Sequence, residues 1–219
     1  MSAGTDDALM RPSPLVVLQL DGLCFRYGQR VLLDQLSARI LPGVTWVRGG
    51  DGRGKTTLLR LLAGAVQGHA GALWVNGTSL SAQPEAYRRA VFWVDPSTTE
   101  WDQTSARHYF NSLAQRYPRF DEALLADLLE GLSLVTHVEK PMYMLSTGSK
   151  RKVWLAAAFA SGASVVLLDE PFAALDKASI GCVLELLQEA AHDPVRAWVV
   201  ADYEAPAQVP LAGVIALGD

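Results

Sequence analysis

The stretch Gly49-Gly50-Asp51-Gly52-Arg53-Gly54-Lys55-Thr56-Thr57 decides the fold, because it fits the phosphate-cradling pattern G-x-x-x-x-G-K-[ST] at every fixed position. Before it, Val44-Thr45-Trp46-Val47 reads as a strand; after it, Leu58, Leu59, Leu61 and Leu62 recur at helical spacing. The motif needs that strand, loop and helix order. Glycines let backbone N–H groups turn inward on phosphate oxygens, and the new helix points its positive end at the same spot. Lys55 is then expected to reach the β- and γ-phosphates, and Thr56 to offer its hydroxyl to Mg²⁺.

A second stretch supports the first. Val165-Val166-Leu167-Leu168-Asp169-Glu170 is a continuous apolar run ending in two carboxylates, the pattern of a central parallel strand whose C-terminal edge faces a ligand crevice. Beside a phosphate loop, Asp169 fits a Mg²⁺ ligand and Glu170 a base that deprotonates an attacking water.

Working outward, Val16 to Leu20 and Cys24 to Tyr27 read as two short strands, followed by a turn at Gly28-Gln29-Arg30 and strand around Ser37 to Ile40. Leu73-Trp74-Val75 ends in the hairpin dipeptide Asn76-Gly77, so an antiparallel β layer precedes the core. Ala90 to Val94 reads as a strand ending at Asp95-Pro96. From Ser97 to Leu145 the pattern becomes helical and more polar, broken at Tyr117-Pro118, as expected of a helical insertion. Ala197 to Ala201 and Val214 to Leu217 complete an α/β alternation. The expected layout is one domain over 1–219, with a loose extension at 1–14, a nucleotide-binding core over 15–95 and 151–219, and a helical part at 96–150.

Composition narrows the classes. The 219 residues carry a net charge of -4, which argues against a phosphate-backbone-binding face, so no nucleic acid partner is expected. Cys24 and Cys182 lack partners at metal-ligand spacing and read as small apolar fillers. Met1 to Pro14 has no signal-peptide layout, and the uncharged run between Lys152 and Asp169 is shorter than the roughly 20 residues a spanning helix needs. The expectation is a soluble protein that meets a membrane only through a partner.

Four stretches together resemble the ATP-binding cassette ATPases, the nucleotide-binding subunits of ABC transporters. These are the phosphate loop, Leu145-Ser146-Thr147-Gly148-Ser149 as the signature sequence, Val165 to Pro171 as the Mg²⁺ strand with its glutamate, and Ala173-Ala174-Leu175-Asp176 as the D-loop. The resemblance covers about Leu18 to Gly218 and leans, at Tyr117 to Asp121 and Leu145 to Ala160, toward small exporter-type or heme-exporter-like cassettes. It implies a P-loop NTPase core that binds ATP and Mg²⁺, pairs head to tail with a second cassette as homodimer or heterodimer, and drives a separate transmembrane permease from the cytoplasmic face.

By the same resemblance, Tyr27 stacks on adenine, Gly49 through Thr57 hold phosphates, Thr56 and Asp169 hold Mg²⁺, and Glu170 is the general base. Ser146 and Gly148, at a helix N-terminus, would bind the γ-phosphate of the facing subunit, with Asp176 at the seam. Three positions depart from the pattern. Asp95 replaces a glutamine that touches Mg²⁺ and the attacking water; it could still ligate metal and would raise a carboxylate pKa there. The switch histidine expected after Ala197 to Ala201 is missing; Asp202-Tyr203-Glu204 stands there, and by spacing Tyr203 replaces it and could hydrogen-bond a γ-phosphate through its hydroxyl. Thr147 and Ser149 replace a Gly and a Gln, removing the S-x-x-Q capping pair. The expected function is a transport-driving ATPase, the alternative a regulatory subunit that binds ATP but hydrolyses it slowly. Lys150-Arg151-Lys152 reads either as a phosphate attractor or as a solvated helix face.

Overall fold

Two sheets share the chain, and the computed structural model describes residues 15–218. The Met1 to Pro14 extension lies outside the described residues. In order, the elements are β1 (Leu18–Tyr27), β2 (Arg30–Ile40), β3 (Gly43–Arg48), α1 (Lys55–Leu62), β4 (Ala70–Val75), β5 (Thr78–Ser79), α2 (Pro84–Ala90), β6 (Val91–Phe92), α3 (Ala106–Arg116), α4 (Glu122–Gly131), a single 3₁₀ turn (Met142–Met144), α5 (Thr147–Ala160), β7 (Val165–Asp169), α6 (Lys177–Ala190), β8 (Ala197–Ala201) and β9 (Leu211–Ala216).

The antiparallel layer has the order β2-β1-β4-β5. Where two short strands are expected, a single strand β1 runs through an irregularity between Leu20 and Leu23. Gly22 sits there at φ +59, and its N–H, lost from the ladder, donates to Ser37 Oγ at 2.8 Å. Only a glycine turns that corner without a Cβ penalty, so the strand bends instead of ending. Asn76 (φ +48) and Gly77 (φ +78) form the expected hairpin turn, both residues left-handed as the two-residue turn requires.

The second sheet has the order β6-β7-β8-β3-β9, with every pairing parallel. Its inner strands β7, β8 and most of β3 are buried on both faces, whereas the edge strand β9 is largely exposed. Val165 and Leu167 pack with α1 and the antiparallel layer, while Val166 and Leu168 face the helical side with Phe159, Trp198 and Val153. That is why β7 reads as a continuous apolar run instead of an alternating one.

The expected strand Ala90 to Val94 is a correction. Ala90 is the last residue of α2, and β6 holds only Val91 and Phe92. Pro84 opens α2 with Glu85 in its first turn, both favourable there. Since β6 is an edge strand with β7 as its one neighbour, little binds the chain beyond Phe92. Between residues 96 and 150 lie α3, capped by Ser105, and α4, capped by Asp121, with the break at Tyr117-Pro118.

The consequence for function is placement. The C-terminal ends of β3, β7 and β8 lie side by side, which brings the 49–54 loop, Asp169-Glu170 and Asp202-Tyr203 to one edge of the parallel sheet.

Candidate functional site

The loop between β3 and α1 turns at Gly52 (φ +66) and Gly54 (φ +98). Gly54 is the N-cap of α1 and offers no side-chain cap, so the first amides of that helix stay available to an anion. A cleft of about 490 Å³ opens over this helix start. Most of Gly50 to Thr57 lines it, with Tyr27, Arg30 and Leu32 on one wall and Glu170 on another. Gly49 and Arg53, both chosen from the sequence, do not line it; the Arg53 side chain is exposed, and its Cβ lies 3.3 Å from the point a Cβ on Gly49 would occupy. Tyr27 stands 53% exposed at the mouth, held edge-on by Phe25 with ring centroids 5.0 Å apart.

Arg30 is a residue that sequence reasoning missed. Its Nη2 donates to Gly52 O at 2.9 Å and braces the loop from the start of β2. No local pattern signals a contact across 22 residues.

Lys55 is only 6% exposed. Its Nζ donates to Gly49 O at 2.7 Å and Gly50 O at 3.2 Å, and it lies 4.2 Å from the centre of the Tyr203 ring. Asp169, at the end of β7, is buried, and its Oδ1 has no partner. Burial, with Glu170 and more weakly Asp95, pushes its pKa up against the opposing Thr56 hydroxyl and Arg151. An orphaned carboxylate oxygen facing a threonine hydroxyl is a hard donor set, suited to a small divalent cation completed by water and phosphate oxygens. Among the described residues no cluster of three or more His, Cys, Asp or Glu side chains could hold a metal by itself.

Glu170 adopts φ +46, a left-handed conformation that costs a non-glycine residue about 1–3 kcal/mol. Hydrogen bonds hold it there. Its N–H donates to Ala201 O at 2.8 Å, and Arg151 Nη1 donates to Asp169 O at 2.7 Å and Glu170 O at 3.1 Å. Next to it, burial and then the Glu170 charge raise the Asp202 carboxyl to about 6.

Other expectations shift. Asp95 is not in the cleft: Arg60 holds its Oδ2 at 2.6 Å, and the Ser97 N–H and hydroxyl hold its Oδ1 at 3.0 and 2.6 Å. Burial alone would raise its pKa, but the Ser97 bonds and Arg60 outweigh that and hold it below the ordinary range. Asp95 does help to raise the pKa of Asp169, as the smallest of the contributions. Each member of the basic run is engaged within the chain. Lys150 pairs with Asp102 at 2.5 Å, Lys152 with Asp176 at 2.7 Å, and Arg151 binds the carbonyls just described.

Ser146 caps α5, its Oγ accepting from Ser149 N–H at 3.1 Å. Although Ser149 removes the glutamine of the capping pair, its hydroxyl lies 3.0 Å from Ser146 Oγ and keeps a contact there. A Cβ on Gly148 would fall 2.5 Å from Ala174 O, so the helix start packs directly on the 173–176 turn. Asp176 caps α6 through Ser179 and is held well below the usual carboxylate range, first by Lys152.

With this geometry in place, four similarities stand out. A family model described as ABC transporter matches residues 33–173. The chain is 35% identical over 217 residues to the cytochrome c biogenesis ATP-binding export protein CcmA of Rhodospirillum rubrum, covering 97% of this chain and 90% of that protein. It is 33% identical to the protein of the same name from Pseudomonas savastanoi, covering 78% and 80%. Among solved structures, the ATP binding subunit of an ABC transporter superposes with a TM-score of 0.75 at 23% identity, covering 84% of this chain and 79% of that one, a likeness of fold.

Proposed function

Because the chain belongs to the ABC transporter family, as the ATP-binding subunit of a transporter, we propose that it hydrolyses ATP in the cleft between the phosphate loop and Glu170. The observation that carries this reading is the convergence of Lys55 and Thr56, at the start of α1, with Asp169 and Glu170, at the end of β7, on one sheet edge. Glu170 lines the cleft and is placed to take the proton of an attacking water. Lys55 and the free amides of α1 bind phosphate oxygens, and Tyr27 offers its exposed ring to the base. Thr56 and Asp169 Oδ1 would hold Mg²⁺, which supplies the positive charge that neutralises phosphate oxygens during transfer.

The second half of the site belongs to a facing cassette. Ser146 and Gly148 begin α5, whose amides and hydroxyl suit the terminal phosphate bound by the other subunit, with Asp176 at the seam. Among the described residues no helix is long and apolar enough to cross a membrane, so a separate permease would carry the transport path and hold this subunit at the cytoplasmic face. The relatives named for export in cytochrome c biogenesis support that process as the one it energises.

Two measurements test the proposal. Glu170→Gln should lower ATP turnover by the full chain at least about 100-fold while leaving ATP binding intact; equal rates would sink the assignment. Expression in a bacterium lacking its CcmA should restore c-type cytochromes, and a failure there with turnover intact would redirect the cargo but not the chemistry.

A further inference from the structure

The contact between Lys55 and Tyr203 is of a different kind from the one the sequence suggests, since the tyrosine presents its ring face and not its hydroxyl. An ammonium has three N–H donors. Two are spent on Gly49 O at 2.7 Å and Gly50 O at 3.2 Å, and the Tyr203 ring, 4.2 Å from Nζ, covers the remaining side. Lys55 is 6% exposed, so a phosphate oxygen reaches this nitrogen only by displacing one of these three partners.

Of the three, the ring is the movable one. The two carbonyls belong to a loop fixed between β3 and α1 and braced by Arg30. Tyr203 is half exposed, beyond the end of β8, with its backbone N–H anchored to Asp202 Oδ1 at 2.7 Å. Tyr203 itself borders a groove of about 340 Å³ whose apolar side, Phe172, Ile180, Leu184 and Pro206, can receive a displaced ring, with Asp202 and Glu204 also lining it.

We propose that Tyr203 is a displaceable cap on the phosphate-loop lysine: its ring face holds the Lys55 ammonium in the ligand-free protein and surrenders it to the terminal phosphates of a nucleotide. It is a positioning residue acting through Lys55, and its hydroxyl plays no part. The inference rests on the ATP-binding reading of the cleft. Because the cation–ring contact is lost on binding, it opposes nucleotide affinity. Removing the ring therefore tightens binding, by roughly two- to fivefold for the about 0.5–1 kcal/mol such contacts carry at partly exposed sites.

The test is calorimetric titration of the full chain with MgATP and with AMP, which has neither β- nor γ-phosphate, for wild type, Tyr203→Phe and Tyr203→Leu. Phe at this position keeps the ring face and should match wild type in every measurement. Leu removes the face and should bind ATP roughly two- to fivefold tighter, with the KM for ATP lowered by the same ratio and AMP affinity unchanged. Weaker ATP binding by Tyr203→Leu, Tyr203→Phe behaving like Tyr203→Leu, or a change in AMP affinity would each overturn the cap. Should wild type itself take up no MgATP, the reading of the cleft fails first, a result distinct from any difference among the variants.

Discussion

The start of α1 and the start of α5 are both helix N-termini assigned to phosphate, yet the protein treats the charges around them in opposite ways. Around α1 the bonding is incomplete: Gly54 gives no cap, Asp169 Oδ1 is buried without a partner, and Glu170 is held at φ +46. Around α5 it is complete, with Ser146 capping, Lys150 and Lys152 paired to Asp102 and Asp176, and Arg151 bound to the carbonyls of Asp169 and Glu170. Unmet bonding alone does not mark a site, since Arg196 Nη2 and Trp198 Nε1 are also buried without partners where these two side chains stack on each other. What distinguishes the α1 edge is that its uncapped helix start and the strained Glu170 line one cleft, with the orphaned Asp169 next to Glu170 in the chain. The α5 edge offers a ligand direction and shape, and its charges serve the scaffold.

The largest expected effect probes how closely the α5 start is built. Gly148→Ala would place a Cβ 2.5 Å from Ala174 O, and Ala174 is itself left-handed at φ +61, so the turn has little room to yield. Overpacking of this kind costs about 1–3 kcal/mol, partly offset by alanine's better helix propensity. Thermal denaturation should therefore show a Tm lower by about 2–8 °C. Gly181→Ala in α6 is the control, because a Cβ there meets nothing within 4 Å and the residue is not left-handed; it should gain about 0.5–1 kcal/mol. If the two variants melt alike, the α5 start is looser than its hydrogen bonds imply and the contrast with α1 weakens.

How much of this was legible in the sequence follows the same divide. The phosphate loop, the β7 acids and the cap at Ser146 are read from a few consecutive residues, because their chemistry depends on local spacing. The pairs that complete the α5 edge join residues 48 and 24 positions apart, and Arg30 reaches Gly52 across 22. No periodicity encodes such distances. Thus the run Lys150 to Lys152 offers only its charge to a reader, and Asp95 looks like a metal ligand until Arg60, 35 residues earlier, takes its carboxylate. Tyr203 falls between these cases: its position at the end of β8 was legible, but which part of it meets the lysine depends on a side-chain orientation that sequence does not carry.

A smaller effect sharpens the α1 side. Asp202 has its pKa raised to about 6, so between its unfolded value near 4 and about 6 the folded protein binds more protons than the unfolded chain. Stability attributable to Asp202 is therefore fully present below about pH 4 and is lost as pH rises through about 6. Asp202→Asn keeps an oxygen to accept from Tyr203 N–H and removes the disfavoured charge. At pH 7.5 urea denaturation should find it more stable by about 1 kcal/mol, a value discounted because the carboxyl is only partly buried, and at pH 4 the two proteins should coincide. A difference that persists at pH 4 would mean that packing, not charge, sets the Asp202 environment.

Asp95, just outside the cleft, should show the opposite sign and the smallest effect. Its depressed pKa means that the contribution of the Arg60 pair is present above the ordinary carboxylate range and disappears as pH falls through the folded-state value, below about pH 4. Because both side chains are partly exposed, Asp95→Asn should lose about 0.5–1 kcal/mol at pH 7 and nothing once the wild-type carboxyl is protonated. Its Mg²⁺ requirement for ATP turnover should stay that of wild type, since Arg60 and Ser97 already occupy the carboxylate. A several-fold rise in the Mg²⁺ needed for half-maximal turnover would instead move Asp95 into the group with Asp169. The boundary between charges left for a ligand and charges spent on the scaffold would then lie one residue pair further from Lys55 than the ion pair now puts it.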